Sequence, residues 1–220
     1  MKMEMNEKIY CIGDTHGCYN TLLALVDRLP KDATLIFLGD LCDKGNFTKE
    51  VVSFIKDNNH IAIKGNHDYM MEQYLKDSVI KDKTNLWTSN AWGGYKTVNS
   101  YRNNLDLIKE HIDFISELPL YIEIDRYFLT HGFGLPYYQR RNDVTKQLMS
   151  NRLERRFPDW EDFSNYDVIN IYGHCDYNKV MYGDKYIGID TGCVYGRKLT
   201  AINLFTNKIT QEDVHFKDIE

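Results

Sequence analysis

The strongest constraint on this chain is a strand-turn-helix unit that repeats near its start. Lys8 to Ile12 and Thr34 to Leu38 are short aliphatic or β-branched runs that stop at Gly13 and Gly39, as buried strands do before a tight turn. Each is followed by a helical pattern. Leu22, Leu23, Leu25, Val26 and Leu29 share one stripe ended by Pro30, a stripe expected in the core, and Val51, Val52, Phe54 and Ile55 build another before Asn58 and Asn59. Ile61 to Lys64 reads as a third strand ending at Gly65. Such repetition predicts parallel strands joined by crossover helices, with the ligand site in the loops at the strands' carboxyl ends. From Tyr69 to Leu118 the pattern is mostly helical, a cap or flank, with Leu105, Ile108, Ile112 and Ile115 at helical spacing. Strands return at Leu120 to Ile124, Tyr127 to Thr130, Val168 to Tyr172, Lys179 to Tyr182, Tyr186 to Ile189 and Leu199 to Phe205, and Asn207 with Lys208 turns a last hairpin. The expected architecture is one α/β domain spanning residues 1–220, with a second, mixed or antiparallel sheet packed on the first.

Composition narrows the function classes. With 43% hydrophobic and 27% charged residues the chain has ordinary globular usage, which argues against disorder and fibrous repeats. A formal net charge of -5 and the lack of a long Lys/Arg run argue against tracking a nucleic-acid polymer. The five cysteines form no CxxC pair, which argues against a secreted disulfide framework and for a reducing cytoplasm. Met1 to Lys8 lacks an apolar signal segment, and no run approaches the ~20 apolar residues of a membrane span, so no membrane association is expected.

The chemistry-bearing residues fall just after the strands. Gly13-Asp14-Thr15-His16-Gly17 follows the first, Gly39-Asp40-Leu41-Cys42-Asp43-Lys44-Gly45 the second and Gly65-Asn66-His67-Asp68 the third. His131-Gly132 and Gly173-His174 end two later strands, so four of the seven histidines sit in glycine-flanked loops, unlike His60, His111 and His215. A carboxylate and an imidazole two residues apart in an extended turn point the same way, so Asp14 and His16 can grip one cation. Asp40, on the neighbouring loop, can offer one oxygen to each of two cations. Helix capping and turn formation would account for Asp14 or Asn66 singly, but not for a whole convergent set.

This ordered series, completed by Gly188-Ile189-Asp190-Thr191-Gly192-Cys193-Val194-Tyr195-Gly196, resembles the phosphoprotein phosphatase family of calcineurin-like metallophosphoesterases over nearly the whole chain, from Ile9 to about Leu204. It is most similar to the short bacterial and phage members, which include Ser/Thr protein phosphatases and diadenosine tetraphosphatases. The resemblance implies a β-sandwich of two mixed sheets flanked by helices. It also implies a first metal held by Asp14, His16 and Asp40, and a second held by Asp40, Asn66, His131 and His174. Mixed nitrogen and oxygen ligation suits two divalent ions of manganese, iron or zinc. Ions roughly 3.5 to 4 Å apart can activate a bridging hydroxide for in-line attack on phosphorus.

His67 is expected to protonate the leaving oxygen, with Asp43 orienting its ring, a pair that matches the family's dyad. Arg152, in Ser150-Asn151-Arg152, resembles the family's phosphate arginine, with Arg155 and Arg156 as competitors. Lys44 stands where the family pattern carries arginine, and so lacks the bidentate fork. Cys42, Cys175 and Cys193 adjoin the site and are expected to be packing residues, Asp190 to support the site from a turn, and Tyr195 and Arg197 to edge the pocket. The leading expectation is a Ser/Thr protein phosphatase-like monoester hydrolase acting on phosphorylated protein, because Asp43 is retained. The alternative is a symmetrical dinucleoside tetraphosphatase with a nucleotide substrate, for which Trp87, Trp92 and Tyr101 are candidates to stack a base. A noncatalytic metal-binding scaffold ranks third.

Overall fold

The computed structural model describes residues 2–76, 86–153 and 166–220. In chain order the strands are β1 (Lys2–Met3), β2 (Ile9–Ile12), β3 (Thr34–Phe37), β4 (Ile61–Ala62), β5 (Tyr121–Ile124), β6 (Tyr127–Thr130), β7 (Ile169–Tyr172), β8 (Met181–Tyr182), β9 (Tyr186–Gly188), β10 (Lys198–Asn203) and β11 (Ile209–Asp213). The helices are α1 (Tyr19–Asp27), α2 (Thr48–Asp57), α3 (Asn66–Lys76), α4 (Gly94–Ser100), α5 (Leu105–Ser116) and α6 (Lys146–Ser150). One sheet runs β11-β10-β2-β3-β4 and the other β1-β5-β6-β7-β9-β8. Both are mixed. β2, β3 and β4 are parallel with β10 antiparallel beside them, while β6, β7 and β9 are parallel with β5 and β8 antiparallel at their flanks.

The central strands β2 and β3 are largely apolar because each serves two cores. In β2 and β3, Ile9, Cys11 and Ile36 face the other sheet, and Ile12, Leu35 and Phe37 face the helices, as the two-residue period of a strand dictates. β10 alternates likewise, with Ile202 inward and Leu199 and Ala201 toward α1 and α2. Ile122, Ile124, Leu129, Ile171 and Ile187 complete the layer between the sheets. Burying a side chain of this size contributes about 1.5–3 kcal/mol, so this layer is a main source of stability. On the outer face of the second sheet, Phe128 and Tyr172 pack with Phe133, Leu135 and Leu148.

The differences from the sequence reading have local causes. β4 ends at Ala62, two residues early, because the Lys64 backbone N–H leaves the sheet and donates to Pro119 O at 2.9 Å. Its ammonium is buried against Glu72 Oε2 at 2.7 Å and Ser116 O at 3.0 Å. Of the stripe expected in the core, Leu22, Leu25 and Leu29 are buried, whereas Leu23 is 39% exposed on the solvent side of α1. β1 escaped notice because two residues carry no periodicity. The middle segment is mostly helical where described, through α3, α4 and α5, with turns at residues 86–93 and 101–104. Among the described residues no helix is long and apolar enough to cross a membrane.

Candidate active site

β2, β3 and β4 of one sheet and β6 and β7 of the other present their carboxyl ends to a common edge, and the expected site residues hang from the loops that follow. Those loops are drawn tight. His16, Asp40, Asp43, Lys44 and His174 take φ of 43°, 49°, 71°, 63° and 62°, five of the eight left-handed non-glycine residues among those described. Such backbone costs about 1 kcal/mol or more per residue and persists where surroundings over-determine it. Here the bonds His16 N–H to Asp40 O (2.8 Å) and Gly17 N–H to Leu41 O (3.0 Å) tie the first loop to the second. Gly39, at φ +90°, lets the second loop touch the third, since a Cβ there would lie 2.6 Å from the Gly65 nitrogen.

The imidazoles are aimed by their Nδ1 atoms. His16 Nδ1 meets Cys42 O at 2.8 Å and His131 Nδ1 meets Leu38 O at 2.7 Å. A carbonyl only accepts, so each Nδ1 carries the proton and each Nε2 faces the cleft. There, His16 Nε2 lies 3.5 Å from Asp40 Oδ2, and His131 Nε2 lies 3.2 Å from Asp40 Oδ1 and 3.0 Å from Asn66 Oδ1. Two trios, His16 with Asp40 and His67, and Asp40 with His131 and His174, each bring their donor atoms within 4.8 Å, and Asp40 is common to both. Asp14 joins neither trio. It is buried and accepts the His174 backbone N–H at 3.1 Å on both oxygens.

A family description, calcineurin-like phosphoesterase, matches residues 7–187 of this chain. The chain belongs to that family. Similar proteins include the asymmetrical bis(5'-nucleosyl)-tetraphosphatase PrpE of Halalkalibacterium halodurans, 26% identical over 87% of each chain. The Bacillus subtilis protein of the same name is 28% identical over 86% of this chain and 88% of its own. A symmetrical bis(5'-nucleosyl)-tetraphosphatase of Coxiella burnetii is 26% identical over 90% of this chain and 89% of its own. A crystal structure assigned to a diadenosine tetraphosphatase superposes with a TM-score of 0.72 at 20% identity, covering 98% of each chain. A serine/threonine phosphatase from Saccharomyces cerevisiae superposes with a TM-score of 0.61 at 14% identity over 97% of this chain and 82% of its own, a likeness of fold alone.

The electrostatics suit the divalent ions that calcineurin-like phosphoesterases use. Burial pushes the His16 imidazole well below its ordinary range, helped by Lys44, and pushes His174 down to about 3, helped by His131. Both are thereby neutral, as ligation requires. Burial works against ionised Asp40, but the charges of His131 and His67, with the hydrogen bond from His131, outweigh it and hold the carboxyl well below its usual range. Burial also disfavours a charge on His131, yet the Asp40 and Asp14 carboxylates raise it to about 10. Oxygens of Asp40 and Asn66 thus converge on His131 Nε2, where positive charge is in demand, and a cation meets that demand. Asp14, raised by burial and by Asp190, is a further carboxylate that a cation would relieve.

His67 is held differently. Its Nδ1 donates to Asp43 Oδ2 at 2.7 Å, and Asp43, fully buried, also accepts Trp87 Nε1 at 2.9 Å and Thr97 Oγ1 at 2.7 Å. Trp87 and Thr97 come from the helical segment, and no local signal in the sequence links them to Asp43. Trp87 and Tyr101 were base-stacking candidates, but both rings are buried, and the Tyr101 hydroxyl meets His111 Nδ1 at 2.7 Å. Trp92 does line the cleft, 5.4 Å from the His67 ring.

The cleft, of about 200 Å³, is lined by His16, Asp40, Asn66, His67 and His174, and by the cations Lys44 and Arg152. Lys44 Nζ lies 3.2 Å from His16 Nε2 and 5.2 Å from the Tyr195 ring centre. Arg152 owes its place to Asn151, whose O and Nδ2 clamp the Phe133 N–H and C=O at 2.9 and 2.8 Å, binding it to the His131 loop. Arg155 and Arg156 lie outside the described residues. Asn170, unflagged in the sequence, fixes the same loop by accepting Gly134 N–H at 2.8 Å and donating to Thr130 Oγ1 at 2.8 Å. Asp190 accepts Gly192 N–H at 2.9 Å at the cleft wall, and burial raises its carboxyl to about 6. All five cysteines are buried, and Arg197 reaches Asp176 at the cleft rim.

Proposed function

We propose that this chain is a dinucleoside tetraphosphate hydrolase that works with two divalent metal ions, manganese by preference over iron or zinc. Asp14, His16 and Asp40 would hold one ion, and Asp40, Asn66, His131 and His174 the other. When bound, such a pair lowers the pKa of water and neutralises phosphoryl oxygens. Lys44 and Arg152 face the cleft from different loops and grip the remaining phosphate oxygens with charge-assisted hydrogen bonds. His67 shares a trio with His16 and Asp40, but its Nδ1 rests on a buried carboxylate where His16 and His131 rest on backbone carbonyls. That contrast supports a proton donor to the leaving oxygen, aimed by Asp43.

The observation that carries the substrate is the company of the phosphate-gripping cations: the same cleft offers the aromatic faces of Trp92 and Tyr195, suited to a nucleobase. The names of the relatives from Halalkalibacterium halodurans, Bacillus subtilis and Coxiella burnetii support the same reading. The protein-phosphatase expectation rested on Asp43. In this site Asp43 serves to hold His67, a task common to any phosphoester leaving group, so its presence carries no information on substrate. Two of those relatives support an asymmetrical cut, into a nucleoside mono- and triphosphate, over the symmetrical one held as the alternative in the sequence reading.

The test is chromatography of diadenosine tetraphosphate products with manganese present. ATP and AMP in equal amounts are expected. Faster turnover of a phosphothreonine peptide than of the dinucleotide would overturn the substrate assignment, and no turnover even of p-nitrophenyl phosphate would favour the scaffold.

A further inference from the structure

Beside the catalytic cleft lies a second cavity, of about 230 Å³, lined by Lys44, Asn90, Ala91, Gly93, Tyr95, Lys96 and Tyr195. Lys44, Ala91 and Tyr195 belong to both cavities, so the two meet across a shared wall that carries a cation. The second cavity is built for an anion with an aromatic end. Two ammonium groups and no carboxylate line it among the described residues, in a chain whose formal net charge is -5. Lys96 lines it with Nζ held by Ile219 O, to which it donates at 3.0 Å, and the ammonium has further protons to offer a ligand. Tyr95 and Tyr195 line it 37% and 52% exposed, and the Tyr195 ring carries Lys44 Nζ at 5.2 Å from its centre, a cation and an aromatic face side by side. Gly93 makes the approach possible: at φ +80° it accepts the Lys44 N–H on its carbonyl, and a Cβ there would lie 2.7 Å from the Lys44 nitrogen.

We infer that this second cavity binds the distal nucleotide of a dinucleoside polyphosphate, the part that leaves when the bond at the metal site is cut. The polyphosphate passes Lys44 from the first cavity to the second, a phosphate meets Lys96, and the base lies against Tyr95 and Tyr195. The inference rests on the dinucleotide reading and adds to it the residues that distinguish a dinucleotide from a simple phosphomonoester.

The experiment compares wild type, Tyr95→Ala and Lys96→Gln on two substrates, diadenosine tetraphosphate and p-nitrophenyl phosphate, with manganese present. Each substitution is expected to lower kcat/KM for the dinucleotide about tenfold and to leave that for p-nitrophenyl phosphate within about twofold. Turnover of the small ester also reports that the variant is folded, and the exposed Tyr95 carries the test alone if Lys96→Gln loses both activities. Equal effects on both substrates in Tyr95→Ala, or no effect on either, overturn the second cavity's role while leaving the dinucleotide activity standing. A wild-type protein that turns over p-nitrophenyl phosphate but not the dinucleotide overturns the functional reading itself, and this inference with it.

Discussion

Replacing Asp43 by asparagine isolates the proton-delivery step. The carboxylate is fully buried, with Oδ2 accepting from His67 Nδ1 and Trp87 Nε1 and Oδ1 accepting from Thr97 Oγ1. In Asp43→Asn the amide oxygen can take the Oδ2 place and keep both ring donors. The amide nitrogen then meets Thr97 Oγ1, whose own proton can turn to Thr48 Oγ1, 3.1 Å away. Thr97 Oγ1 already accepts the Asp43 backbone N–H at 2.9 Å, so this turn costs the buried Thr48 hydroxyl its acceptor, and stability should fall by about 1–3 kcal/mol. What is lost is the charge opposite the imidazole. A hydrogen bond to a charged partner exceeds a neutral one by roughly 1–2 kcal/mol, which converts to a fall in kcat of roughly 5- to 30-fold where the leaving group needs a proton. Phenyl phosphate needs it and p-nitrophenyl phosphate, with a better leaving group, needs it far less. The assay is kcat on both esters, with manganese content measured by atomic absorption and unfolding by urea. A large loss on phenyl phosphate, a small one on the nitro ester and unchanged metal content are expected. Equal losses on both esters, or loss of metal, would refute the reasoning.

His67→Asn should cut turnover by about 10²–10⁴-fold with metal content unchanged; parallel loss of manganese would make His67 a ligand. Asp40→Asn should deplete both metal ions together in elemental analysis, because its carboxylate is shared by both trios, whereas loss of one ion alone would contradict sharing. Lys44→Ala should raise KM about tenfold for any phosphate ester with little change in unfolding. Far from the cleft, burial lowers His111 from 6.5 to about 4, so between those values the unfolded chain holds the extra proton. Stability is therefore complete above about 6.5 and falls as pH drops toward 4, by roughly 2 kcal/mol after solvent screening. His111→Gln should flatten that part of the urea midpoint against pH, and an unchanged slope would contradict it.

Much of the site was legible because its chemistry is written in short loops. Asp14, His16, Asp40, Asn66 and His67 each follow a strand within a few residues, and glycines on either side announce the sharp turns that positive φ at His16 and Asp40 confirms. His131 and His174 were legible for the same reason, as strand-end histidines beside glycine. The supports of these residues were not. Thr97 and Trp87 reach Asp43 from 54 and 44 positions away, and Asn170 braces the His131 loop from inside β7, contacts that only packing creates. Periodicity likewise assigned Leu23 to the core, since a nine-residue helix leaves its stripe boundary loose, and extended β4 to Lys64, whose N–H is claimed by Pro119. Substrate choice was weighed on Asp43, a residue that speaks to mechanism, while the cavity around Lys96 and Tyr95 has no motif.

The account stands on two cations flanking the Asp40 carboxylate. Anomalous diffraction at the manganese edge, from crystals grown with manganese, measures this directly. Two peaks are expected, one beside His16 and Asp14 and one among Asn66, His131 and His174, with an Asp40 oxygen at each. A single peak, or peaks removed from Asp40, would contradict it.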